Sequence, residues 1–111
     1  MKTEQPVLIT TIKAVTDLSE SKNFFIGFNG ELCGDGAKPL GVLNANTLQD
    51  EMAPVIASGI ALVITASAIA QGDKLQSNED GKAMTFISGE VSGYALDAAG
   101  GAGELIRVLL S

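Results

Sequence analysis

The stretch Gly89–Ser111, GEVSGYALDAAGGAGELIRVLLS, decides how the rest of the chain is read. Val91, Tyr94 and Leu96 mark a first extended run. Asp97-Ala98-Ala99-Gly100-Gly101-Ala102-Gly103 lacks side chains to pack and is loose in its backbone torsions, so it cannot continue a strand. Glu104-Leu105-Ile106-Arg107-Val108-Leu109-Leu110 then runs apolar to the end. A terminal apolar strand must be tied into a sheet, because left free it would fray and aggregate. The sheet is therefore expected to close on this strand, held centrally or along at least one full edge.

An earlier stretch echoes it. Gly41-Val42-Leu43-Asn44-Ala45 leads through Asn46-Thr47-Leu48-Gln49-Asp50 into Glu51-Met52-Ala53-Pro54-Val55-Ile56. Gly93-Tyr94-Ala95-Leu96-Asp97-Ala98 leads through the glycine bend into Glu104-Leu105-Ile106-Arg107-Val108-Leu109. Each has a Gly and an apolar residue, a loop, and a strand entered as Glu, apolar, two variable residues, Val, apolar. Asp35-Gly36 and Asp80-Gly81 stand upstream, each followed by a Lys. The pattern raises an internal duplication of one β-unit, beside the alternative of chance likeness.

Composition narrows the class. A chain of 111 residues fits one domain with a modest core. Thirteen glycines, few aromatics and an apolar set of Ala, Val, Ile and Leu suit short strands and tight turns better than a helical bundle. The net charge of −6, without a Lys/Arg cluster, argues against nucleic-acid binding, where phosphate neutralisation supplies most of the affinity. The single cysteine, Cys33, cannot form an internal disulfide. Glu4 and Lys13 within MKTEQPVLITTIKAV argue against a secretory signal.

Read in order, residues 1–6 form a loose N-terminal arm and 7–111 a single β domain. Val7–Val15 is β-branched and strand-like. Phe24–Phe28 and Glu31–Gly34 flank Asn29-Gly30, a strong hairpin turn. Leu40–Ala45 is a strand, and Asn46–Glu51 could make one helical turn. Ala53–Gln71 carries no charge and would just span a bilayer. Pro54 and Gly59 interrupt it, however, and no basic cluster sets an orientation. It reads as two strands, Pro54–Ala57 and Ile60–Ala66, hinged at Ser58-Gly59. Lys74–Ser77 and Ala83–Ile87 complete the set around an Asn78–Lys82 turn. The fold class is all-β, a small barrel with at most one or two short helical turns.

No catalytic, cofactor or metal site is expected, and the chain reads as a non-enzyme. The absence of histidine removes Ser-His-Asp triads and His metal sites. Cys33 has no accompanying base and reads as a buried structural thiol. Gln76–Gly81 has Asn78, Asp80 and Gly81 in calcium-loop positions, but lacks charge at the first and closing positions. Gly100-Gly101-Ala102-Gly103 lacks the Lys of a phosphate loop. Gly72-Asp73 to Lys82 is spaced like the modified-lysine hairpin of lipoyl and biotinyl carrier domains, although Gly81 stands where an acidic residue would precede the lysine. Two alternatives therefore stay open, a carrier domain modified at Lys82 and a small membrane protein spanning residues 53–71.

From Leu40 onward the chain resembles the tailed-phage capsid decoration, or cement, proteins. The resemblance lies in Leu40-Gly41-Val42-Leu43-Asn44-Ala45, Gly72-Asp73, Asp80-Gly81-Lys82, Gly93-Tyr94-Ala95-Leu96-Asp97-Ala98-Ala99 and Gly103-Glu104-Leu105-Ile106-Arg107-Val108-Leu109-Leu110. It implies a β-barrel or β-tulip-like domain on the outer capsid surface of the virion, made in the bacterial host cytoplasm. It also implies a homotrimer whose partner is the major capsid protein lattice, which it stabilises, with no nucleic acid and no membrane involved. The attachment is expected in the N-terminal segment, at Thr3, Glu4, Gln5, Pro6, Val7 and Leu8. There a polar lead is followed by an apolar β-branched run that could add a strand to a partner edge. Alternatively, Val7–Val15 is an ordinary first strand of the domain's own sheet.

Overall fold

The computed structural model describes residues 3–110; Met1, Lys2 and Ser111 lie outside the described residues. Eight strands form one antiparallel sheet. They are β1 (Gln5–Lys13), β2 (Phe25–Ile26), β3 (Gly41–Leu43), β4 (Met52–Ile64), β5 (Lys74–Ser77), β6 (Ala83–Thr85), β7 (Gly93–Ala95) and β8 (Leu105–Leu110). The hydrogen-bonded order is β2-β3-β4-β8-β7-β5-β6, with β1 paired to β4 off this path. The sheet curls into a nearly closed barrel. Near the seam, Phe25 N–H donates to Gly81 O at 2.7 Å and Ala66 N–H to Ala83 O at 2.7 Å. These bonds satisfy backbone groups that an open sheet would leave unpaired.

The C-terminal strand is central, as its apolar run requires. β8 pairs with β4 and with β7, and Ile106 and Val108 are fully buried. No helix occurs among the described residues, and Asn46–Glu51 is a turn around a Leu18–Thr47 bridge. Asp50, at φ 72°, breaks the helical path there. The two strands expected around Ser58-Gly59 are one thirteen-residue strand. Gly59 turns within it at φ +100°, where a Cβ would lie 2.6 Å from Gln5 O and Val7 N. The β1–β4 register shifts on either side of Leu8, opposite that bend.

The register gives the internal echo a physical form. Val42 pairs with Ile56 and Leu43 with Val55, as Tyr94 pairs with Leu109 and Ala95 with Val108. Phe25–Val42 and Ile26–Gly41 correspond to Lys74–Tyr94 and Leu75–Gly93. The run from Ile9–Ile56 to Lys13–Met52 corresponds to that from Ile60–Leu109 to Ile64–Leu105. Even the isolated bridges Leu18–Thr47 and Ile69–Ala99 match. The chain is thus two copies of one β-unit, and β4 is long because it ends the first and begins the second.

Two buried clusters follow from that arrangement. The larger joins Phe25, Val42 and Ile56 of the first unit to Ala61, Val63, Leu75, Ala95, Ile106 and Val108 of the second. The smaller packs Ile26, Leu43, Ala53 and Val55 against Ala14 and Leu18. One face of the first unit is therefore covered by the second unit, and its other face by its own loops. Each fully buried Val, Leu, Ile or Phe contributes about 1.5–3 kcal/mol of transfer free energy.

Candidate docking surface

The described residues enclose no pocket and hold no group of metal-ligating side chains. Cys33 is buried, with its thiol donating to Ala37 O at 3.3 Å. Burial pushes that thiol above its ordinary value and keeps it protonated. Lys82 holds its ammonium 5.8 Å from the centre of the Phe24 ring. Its backbone N–H is tied to Asn78 Oδ1 at 2.8 Å, as is that of Asp80 at 2.9 Å, so Asn78 organises the turn itself. Among the described residues no helix is long and apolar enough to cross a membrane, and most of residues 53–71 is strand β4.

Surface chemistry is concentrated elsewhere. Strand β1 pairs with β4 alone among the described residues, which leaves its other edge open. Val7, Leu8 and Ile9 on it are 81%, 55% and 46% exposed. A long, apolar edge strand is normally blunted or covered, since its unpaired N–H and C=O groups template a further strand. Thr3, Gln5 and Pro6 are exposed with them, and Glu4 is partly buried. The expected attachment residues thus fall together at one end of the strand. Gln5 and Pro6, placed in the arm by sequence, belong to β1 and pair with Ile60 and Gly59.

A second apolar surface lies on the outward face of β4 after Gly59, β8 and β7. Ile60, Leu62 and Ile64 point outward and are partly buried, while Ala61 and Val63 point into the core. Leu105, Leu109 and Tyr94 are exposed beside them. At its centre Asp97 accepts from Arg107 Nε at 3.0 Å and from its terminal nitrogen at 2.9 Å, and takes the Arg107 backbone N–H as well. Those hydrogen bonds and the carboxylate charge hold the guanidinium above its ordinary value.

A third feature is a rigid loop. Gln76, buried on β5, accepts from Ile87 N–H at 2.7 Å and Ser88 N–H at 3.0 Å, and donates to Asp35 Oδ1 at 3.2 Å. Glu90 N–H donates to Gly36 O, and Gly36 N–H to Ser77 O. The loop after β6 is thereby zipped to the Asp35-Gly36 turn with Ile87 held out in solvent. A polar residue inside a strand is the signal for such a clamp, and sequence reading passed over it.

The comparisons agree with this picture of a protein built of surfaces. A family model described as "Phage cement protein" matches residues 1–110. None of the curated proteins matches the sequence. Among solved structures, the head fiber gp8.5 N base of bacteriophage phi29 superposes with a TM-score of 0.73 at 21% identity. The match covers 94% of this chain and 93% of that one, and it shows a shared fold.

Proposed function

The chain belongs to the phage cement protein family, and from that premise we propose that it coats the outer surface of a phage head and stabilises the major capsid protein lattice. Its place is on the virion, after synthesis in the host cytoplasm, and its role is structural rather than enzymatic. The observation that carries the attachment is β1, an edge strand with one side unpaired and Val7, Leu8 and Ile9 in solvent. A shell protein offering a free strand edge would extend the sheet through β1, taking affinity from main-chain hydrogen bonds and specificity from the side chains. Thr3 and Glu4 lead into that strand, and with Gln5, Pro6, Val7 and Leu8 they form the contact. The chain acts as a homotrimer, and many copies on one shell turn modest single contacts into a durable coat. The phi29 neighbour supports the reading, as the base of a head fiber with the same fold.

Co-sedimentation with expanded heads tests the attachment. Leu8→Asp should keep the cooperative melting transition, because the side chain is exposed, and should reduce head binding at least tenfold, about 1.4 kcal/mol. Removal of residues 1–5 should weaken binding in the same direction. If both variants bind heads as tightly as the intact chain, β1 has no part in attachment.

A further inference from the structure

We propose that the outward face of β4 after Gly59, β8 and β7 is where a second copy of this chain docks; the inference deepens the homotrimer part of the function above and rests on it. The duplicated β-unit points to it. Tyr94 and Leu109 occupy in the second unit the register positions of Val42 and Ile56 in the first. Directly paired residues of antiparallel strands share a face. Val42 and Ile56 are 0% and 1% exposed because the second unit packs over them. Tyr94 and Leu109 are 42% and 46% exposed. The molecule itself therefore shows what covers this face, namely another β-unit of the same kind. The first unit uses the second for that purpose. Among the described residues no further unit packs over the second, and a second copy of this chain supplies one.

Charge favours the same occupant. Each chain carries −6, so two copies repel unless they meet where carboxylates are few. The strand segments Ile60–Ile64, Gly93–Ala95 and Leu105–Leu110 contain no Asp or Glu. Their single charge, Arg107, is neutralised by Asp97. Strand addition does not compete here, because β8 is hydrogen-bonded to β4 and β7 and can be covered only face to face. This surface is distinct from the open edge of β1, which leaves that edge for the shell.

Sedimentation velocity at micromolar concentration tests the inference on the full chain and on Leu109→Lys and Tyr94→Lys. The intact chain should sediment as a multimer. Each variant should retain its melting transition, since both side chains are already half in solvent, and should self-associate at least about tenfold more weakly. An intact chain that sediments as a single chain overturns the inference, as does a folded variant that stays multimeric to the same degree. A face that meets the shell instead would show as an unassociated intact chain whose head binding is lost in Leu109→Lys. Co-sedimentation of the intact chain with heads separates the two readings, because head binding survives if only the self-docking face is misassigned.

Discussion

Substituting Gly59 by alanine tests how β1 is held, and therefore how the attachment strand is presented. Gly59 has φ +100° inside β4, and an alanine Cβ there would lie 2.6 Å from both Gln5 O and Val7 N. An L-residue at positive φ costs about 1–2 kcal/mol. The contact is with backbone rather than a flexible side chain, so β1 itself must move, at about 1–3 kcal/mol. The cost is bounded because Gln5–Leu8 bury little and can lift away. A loss of about 2–5 kcal/mol follows, on the order of 10 °C in melting temperature for a chain of this size. Gly72→Ala is the control. Its φ is +87°, but nothing lies within 4 Å of its Cβ, so only the torsional cost of about 1–2 kcal/mol remains. Thermal melting should order the two variants. Hydrogen exchange over residues 5–12 should quicken more in Gly59→Ala than the core does, whose protection falls only with the global loss, and Gly72→Ala should show no such local excess. Equal melting temperatures for both variants, or unchanged exchange in β1, would refute the close-approach argument.

Three further outcomes follow from named contacts. Gln76→Ala leaves two loop N–H groups without their acceptor and should cost about 2–3 kcal/mol in urea unfolding, with faster exchange over residues 86–90. Ile106→Ala, in the larger cluster, should cost about 2–5 kcal/mol by the same measurement. The Cys33 thiol has a folded value raised above the ordinary 9.0 by burial. Its stabilising contribution is therefore complete below pH 9.0 and falls as pH rises past it. The stability of the intact chain relative to Cys33→Ala should decline above that pH, and a difference that stays flat would contradict the burial.

Much of this architecture is legible because strand pairing follows alternation and turn chemistry. Lys74–Ser77 is a strand because Gly72-Asp73 and Asn78–Lys82 bound it with turns. The final strand is central because its near-continuous apolar run is stable only when paired, and it pairs with β4 and β7 while burying Ile106 and Val108. The duplication is legible because Gly41 and Gly93 each sit where a Cβ would strike the partner backbone, at Ile56 O and Leu109 O. What sequence could not supply is which side of a strand meets water. Ile60, Leu62 and Ile64 are the larger residues of their strand, yet the smaller Ala61 and Val63 face the core. That inversion depends on the barrel's curvature and on the first unit filling its interior. The same limit split β4 in two, since a glycine at positive φ bends a strand as readily as it ends one. The open edge of β1 is legible only as one of two readings, because an apolar β-branched run suits a strand-adding edge and an ordinary internal strand alike.

Electron cryomicroscopy of expanded heads incubated with the full chain tests the central claim most directly. The account expects ordered density at fixed lattice positions, with β1 against the capsid protein and Tyr94 and Leu109 between neighbouring copies. Heads that stay bare, or a bound chain with β1 turned to solvent, would contradict it.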